Sequence, residues 1–277
     1  MLSVRLAHII GAQGDNCLIG KKGVEQLPKE RSPALLISYH YLKGWLQEKS
    51  KVQYRDWVMD SGAFSAHSLG VTINLQDYIN TCKMLKDQDP TLTEIFALDV
   101  IGDWKASLKN CEEMWKQGVE AIPCFHVGEP EHVLKSIAAN YPKIALGGAV
   151  GYRGKDKWAE QCFARVWPKK IHGFGFGSEK SIMLLPWHSV DATNWELGPC
   201  KFGRWQSMGG QYVNWRGGGQ NLRAEVEWYL KLEERARAKW AGAMKQLEGV
   251  ESKPDVRLAV KGDSGRLTEQ NFGKASP

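Results

Sequence analysis

Short apolar, β-rich runs alternate along this chain with segments patterned as helices, and that alternation limits the fold more than any other feature. The runs are Val4–Ile10, Trp57–Met59, Ile95–Val100, Ala121–Val127, Lys143–Leu146, Ile171–Phe176 and Ser189–Val190. Each is nearly continuous in apolar character, as parallel strands buried on both faces must be. Between them the pattern predicts helices over Leu75–Lys86 behind an Asn74 cap, Trp104–Gln117 behind Asp103, Glu131–Asn140 and Lys155–Val166. Alternation of this kind implies a parallel sheet. Its repetition favours a closed (β/α)8 TIM-type barrel over an open doubly wound sheet. No GxGxxG turn follows the first run, which weighs against a dinucleotide-binding fold. A length of 277 residues suits one barrel of about 250 residues.

The rest of the chain divides simply. Trp195–Gly219 is rich in glycine, tryptophan and arginine and reads as an irregular ordered loop. Leu222–Leu247 carries Leu222, Val226, Tyr229, Leu230, Trp240, Met244 and Leu247 at helical spacing, which predicts a long helix packed on the barrel wall. Beyond it the chain turns polar and rich in Gly, Ser and Lys. The expected division is a barrel domain over 1–247 and a flexible tail over 248–277. No apolar run reaches the roughly 18 residues that span a membrane. The opening MLSVRLAHII has no signal-peptide pattern, and the six cysteines contain no CxxC pair. These features predict a cytoplasmic protein with reduced thiols. The formal charge of +6 is compatible with a polyanionic partner and equally with an ordinary enzyme.

In a (β/α) barrel the working residues stand at the C-terminal ends of strands. Here those ends read MDSGAFS (Met59–Ser65), ALDVIGDW (Ala97–Trp104), IPCFHVGEP (Ile122–Pro130), IALGGAVG (Ile144–Gly151), HGFGFGS (His172–Ser178) and SVDATNW (Ser189–Trp195). In order and content they resemble the tRNA-guanine transglycosylase superfamily. The nearer resemblance is to its DpdA family, whose members insert 7-deazaguanines into DNA. It spans about Val58–Arg204. Phe125-His126 stands where the tRNA enzymes carry Gln-Gly. The tRNA enzymes also bind zinc through Cys-x-Cys-x-x-Cys and a His after their late Asp. Here Cys200 is the one cysteine after Asp191 and no histidine follows His188, so that site cannot be assembled.

The resemblance implies a role for each residue. Asp191 would attack the anomeric carbon and hold the sugar as a covalent glycosyl-enzyme. Asp60 would protonate the departing guanine and deprotonate the incoming base. Asp99 would accept the N1–H and exocyclic amine of a guanine-like base. Ser61, Gly62, Phe64, His126, Gly147, Gly148 and His172 would surround the base and sugar. Arg204, Trp205, Trp215 and Arg216 mix cations with aromatics, which suits phosphates and unstacked bases. Each has a plainer alternative: a helix cap for Asp191, a turn cap for Asp60, a salt bridge for Asp99, and packing for the glycines, histidines and aromatics.

The function expected is a DNA-guanine transglycosylase with a 7-deazaguanine (preQ0-type) base as co-substrate. No zinc or other metal cofactor is expected, and no membrane partner. A base within a duplex must be flipped out or already unpaired, so partner proteins that open DNA fit this expectation. The competing readings are a zinc-less tRNA-guanine transglycosylase and a non-catalytic nucleic-acid-binding barrel.

Overall fold

The computed structural model describes residues 2–7, 31–213 and 222–248. Nine parallel strands form one nearly closed, barrel-like sheet. They are β1 (Ser3–Ala7), β2 (Ala34–Ser38), β3 (Trp57–Asp60), β4 (Leu92–Phe96), β5 (Ala121–Ile122), β6 (Cys124–His126), β7 (Lys143–Gly147), β8 (Lys170–Gly173) and β9 (Ser189–Ala192). Their spatial order is β5-β4-β3-β2-β1-β9-β8-β7-β6.

The two strands at the ends of that order, β5 and β6, are separated in sequence by Pro123 alone. The Ile122 carbonyl accepts the Ala97 N–H on one side at 2.9 Å, and the Pro123 carbonyl accepts the Ala145 N–H on the other at 2.8 Å. One extended segment thus serves both edges. The arrangement is compatible with the barrel that the sequence predicts. Proline lacks an N–H, so the ladder breaks at Pro123 and divides the segment in two.

The connections are helical. They comprise α1 (Leu42–Glu48), α2 (Ala63–Ser68), α3 (Leu75–Gln88), α4 (Trp104–Lys116), α5 (Glu131–Asn140), α6 (Lys155–Val166) and α7 (Glu179–Leu184). Two expected caps form: Asn74 accepts the Asp77 N–H and Asp103 accepts the Ala106 N–H, each at 3.0 Å. The larger apolar cluster lies between helices and sheet, and a smaller one fills the sheet's inner face.

Side chains alternate along a strand, so residues two apart share a face. Ala7, Leu36, Val58, Phe96, Ile122, Cys124 and Ala145 pack together inside. Two residues before members of this set stand Arg5, Asp56, Glu94 and Lys143, which are charged. Two residues after stand Asp60, His126 and Gly147. The inner face therefore runs from a charged floor through an apolar middle to a polar mouth.

The structure adds elements that the sequence pattern does not predict, β2 among them, and changes one segment. Asn194–Phe202 is a helix, α8, followed by an antiparallel hairpin of β10 (Arg204–Trp205) and β11 (Gln211–Tyr212). The sequence reads as irregular there because Gly198-Pro199 stands inside the helix. Gly198 belongs to a close crossing: a Cβ on it would lie 2.8 Å from the Arg204 carbonyl oxygen.

The expected long helix is α9 (Leu222–Glu248). It runs from mouth to floor. Glu225 accepts the Ser207 N–H of the hairpin at 2.7 Å, and the Tyr229 hydroxyl donates to the Gly177 carbonyl at 3.2 Å. Further along, Glu233 accepts the Val4 N–H and Arg237 donates to the Leu2 carbonyl, each at 2.6 Å. All but the first residue of the expected tail, and both Trp215 and Arg216, lie outside the described residues. Among those described, no helix is long and apolar enough to cross a membrane.

Candidate active site

Asp60 ends β3, and the chain then turns sharply into α2. Gly62 makes that turn at φ +74°, a region costly for other residues, and a Cβ there would lie 2.7 Å from Ser38 Oγ. The turn aims the Gly62 N–H at Asp60 Oδ2 across 3.1 Å. Burial pushes the Asp60 carboxyl up to about 7, against that hydrogen bond, and the charges of Asp99 and Asp191 push it the same way. The three carboxylates expected from the sequence therefore face one mouth.

Asp191 sits on β9, nearly buried. Its Oδ1 accepts the Gly175 N–H at 2.8 Å, and Lys155 holds the Gly175 carbonyl at 2.7 Å. Gly175 is left-handed at φ +76°, which turns its N–H toward the carboxylate. Burial pushes the Asp191 carboxyl up to about 6, while the Gly175 N–H and the Lys155 charge favour the ionised form. Beneath it, His172 lies between the rings of Phe96 and Phe174, with centroids at 4.7 and 4.5 Å. Its Nδ1 meets Ser189 Oγ at 2.8 Å. Burial, with Arg5 adding to it, pushes His172 down to about 3 and keeps it neutral. Its Nε2 stops 3.9 Å from Asp191 Oδ1, beyond hydrogen-bonding reach. The residue expected at the base is thus a buried support under Asp191.

Asp99 lies just past β4, opposite β6. His126 Nε2 is 3.2 Å from Asp99 Oδ2, and its Nδ1 is 2.9 Å from Glu129 Oε1. Burial opposes charge on this imidazole, and the Cys124 sulfur, Asp99 and Glu129 together overcome it and push it above the usual histidine value. Burial pushes the neighbouring Cys124 thiol up to about 12, which leaves it neutral near pH 7. Donor atoms of Asp99, Cys124 and His126 lie within 4.8 Å of one another, a set that could receive a metal ion.

Gly147 and Gly148, expected to bring backbone to a base, lie close against these side chains. A Cβ on Gly147 would lie 2.7 Å from Cys124 Sγ and 3.1 Å from His126 Cδ2, and one on Gly148 would lie 3.3 Å from His126 Cβ. Ser61 is buried beside Asp60, and its Oγ accepts the Ala63 N–H at 3.4 Å. Phe64 stands 70% exposed on α2, free to lie against a ligand. Arg204 is exposed on the hairpin with its guanidinium 6.0 Å from the Tyr212 ring. Trp205 corrects the expectation of a stacking platform. It is 4% exposed, and its indole N–H points to the Val213 carbonyl at 3.4 Å.

Two contributors carry little signal in the sequence. Lys155 reads as the first residue of a helix, and nothing in its local pattern points to Gly175. Glu129 reads as a weak candidate, although His126-Val-Gly-Glu129 has the spacing of a turn that folds the carboxylate back. Chemically, the mouth offers a carboxylate steadied by a backbone N–H, a second carboxyl poised near neutrality, and a third paired with histidine. No protein-family model matches the chain, and no curated protein matches it.

Proposed function

We propose that this protein exchanges guanine in DNA for a 7-deazaguanine base, on a TIM-type (β/α)8 barrel. The observation that carries this reading is the convergence of Asp60, Asp99 and Asp191 on one mouth, two of them with carboxyls raised to about 7 and 6. The chemistry needs one carboxylate as nucleophile and one acid that can give and then take a proton.

Ionised Asp191 attacks the anomeric carbon. A carbon–oxygen bond forms as the N-glycosidic bond breaks, and the bonding pair leaves with guanine. Protonated Asp60 supplies the proton that guanine takes up. The incoming base then loses its proton to Asp60. Its nitrogen attacks the anomeric carbon, and Asp191 departs as carboxylate. Asp99 accepts the N1–H and amine N–H of both bases. Phe64 offers a face for stacking.

To test this, purified protein is incubated with DNA and labelled 7-deazaguanine, and the digested nucleosides are read by mass spectrometry. Labelled 7-deaza-2′-deoxyguanosine in the DNA digest, with a sugar–protein adduct trapped at Asp191, is the expected result. Absence of both under varied pH and DNA strandedness would remove the proposal.

A further inference from the structure

We propose that Asp99, Cys124 and His126 form a binding site for a divalent cation of the zinc class, with Glu129 orienting the imidazole, and that this cation and a guanine-like base exclude each other. The metal site stands on its own geometry, and the exclusion rests on the base-exchange reading. The ion regulates access to the mouth and takes no part in exchange.

Cys124 and His126 stand two apart on β6, so both side chains project from its inner face. Asp99 meets them from the end of β4. The donor atoms of the three lie within 4.8 Å of one another, and His126 Nε2 is 3.2 Å from Asp99 Oδ2. A nitrogen and an oxygen on one tetrahedral zinc, each at about 2.1 Å, stand about 3.4 Å apart. A sulfur at about 2.3 Å stands about 3.6 Å from either, so the thiol closes on the ion with a shift on the order of 1 Å. Gly147 keeps this cradle open. A Cβ there would lie 2.7 Å from Cys124 Sγ and 3.4 Å from His126 Nε2, crowding both donors.

The support behind the imidazole matches a ligand. A metal-bound histidine usually donates its other N–H to a carboxylate or carbonyl, which fixes the tautomer and the ring plane. Here Nδ1 faces Glu129 Oε1 at 2.9 Å. The Glu129 N–H donates to the His126 carbonyl at 3.2 Å, closing a turn through Gly128 at φ +92° that returns the carboxylate to the ring. With Nδ1–H on Glu129, the Nε2 lone pair is turned toward Cys124 and Asp99. Thiolate and imidazole select zinc over magnesium or calcium. As the sulfur–metal bond forms, the thiol proton passes to solvent. One thiolate and one carboxylate then balance a dication, so a partly buried site carries no net charge from ion and ligands. Three protein ligands leave the fourth tetrahedral position to water.

In the base-exchange reading Asp99 accepts two N–H groups of the base. A carboxylate oxygen bound to a metal is withdrawn from that role, and the ion with its water stands where the base edge would come. Occupancy by one therefore displaces the other.

The experiment uses the full chain, reduced and stripped of metal with a chelator. Cobalt(II) is the probe, since tetrahedral cobalt with a thiolate ligand absorbs strongly in the visible and adds a sulfur-to-metal charge-transfer band in the near ultraviolet. One cobalt per chain with both features, displaced by zinc, is the expected result. Cys124→Ser should lose the charge-transfer band, which separates Cys124 from the exposed Cys200. Glu129→Gln keeps all three ligands, so it should keep the band and weaken zinc binding roughly ten- to a hundredfold. Calorimetry of 7-deazaguanine with and without zinc reads the exclusion, and apparent affinity for the base should fall as zinc rises. No charge-transfer band in the wild type, or the same band in folded Cys124→Ser, overturns the metal site. Unchanged zinc affinity in Glu129→Gln overturns the role of Glu129. Base affinity indifferent to bound zinc overturns the exclusion. A metal-free chain that binds no 7-deazaguanine overturns the base-exchange reading and the exclusion with it, while the cobalt spectra still decide the metal site.

Discussion

Arg5 and Asp191 are register partners on β1 and β9, yet their side chains serve opposite ends of the barrel. Arg5 reaches down to Asp56 at 2.6 Å, whereas Asp191 receives the Gly175 N–H at the mouth. The inner face is thereby divided into a floor that carries stability and a mouth that carries chemistry. Glu94 is the floor's hub: its Oε1 meets Lys143 at 2.6 Å and His188 at 2.9 Å. Burial opposes its charge, and His188, Lys143 and Arg5 together hold its carboxyl well below the usual range.

Glu94→Gln should therefore cost about 3 kcal/mol, roughly 10 °C in Tm, because Lys143 and His188 lose the carboxylate they share and buried Arg5 keeps only Asp56. A depressed folded-state pKa gives stability that is present above the unfolded value and lost as pH falls. The gap between wild type and variant should accordingly shrink in acid. Thermal melts at about pH 7 and about pH 4, on either side of the ordinary carboxylate range, check this. An equal gap at both values would refute the linkage.

Exchange should have a bell-shaped pH dependence. Asp191 must be ionised to attack, so the rate should fall below about 6. Asp60 must be protonated to release guanine, so the rate should fall above about 7. Asp191→Ala should abolish both exchange and the covalent adduct, whereas Asp191→Asn should still bind nucleic acid. Single-turnover rates from about pH 5 to about pH 9 decide the matter; a flat profile would mean that other groups carry the protons.

How much of this is legible in the sequence follows from how local each signal is. The alternation that predicts β3 to β9 is local, and so are the Asn74 and Asp103 caps. Strand β2 escapes the reading although Ala34–Ser38 is as long and as apolar as β1, because it leads into the short helix α1 instead of a long amphipathic one. Helix α8 is hidden because Gly198-Pro199 looks like a breaker, while the reason for Gly198 is a backbone crossing six residues on. The mouth aspartates are legible as strand ends. The pairing of His126 with both Asp99 and Glu129 is not, since it joins two strands. Burial of Trp205 depends on β10 folding back against α8, which no local pattern reports.

Gly147→Ala should be destabilising although its backbone conformation is ordinary. The new methyl would lie 2.7 Å from Cys124 Sγ. Overpacking of this kind costs about 1–3 kcal/mol. Adding Cys124→Ala removes the sulfur and should recover part of the loss, while the 3.1 Å approach to His126 Cδ2 remains. Denaturant melts of the two single variants and the double variant form the cycle. Strict additivity would show that the clash is elsewhere.

DNA should be modified by this protein, and tRNA should not. Recognition of tRNA needs a shape-reading surface beyond the mouth, because the pocket meets one flipped base. In the tRNA-guanine transglycosylases of the proposed reading, the zinc-bearing segment contributes to such a surface. Here α8 and the hairpin occupy that stretch of sequence. Glu225 anchors the hairpin turn by accepting the Gln206 and Ser207 N–H groups at 3.0 and 2.7 Å. The hairpin presents Arg204 beside Tyr212, a residue 75% exposed. A cation and a stacking face on a rigid mount suit a polynucleotide backbone and its unpaired bases, with little sequence preference. Arg204→Ala should weaken DNA binding and lower the slope of log affinity against log salt by about 1. Tyr212→Ala should weaken binding to single strands with the slope unchanged. Neither touches Asp60, Asp99 or Asp191, so free base should bind both variants normally. Incorporation of labelled 7-deazaguanine into DNA and tRNA, run side by side, distinguishes the two polymers. Label in tRNA and none in DNA would reverse the polymer assignment and leave the exchange chemistry standing.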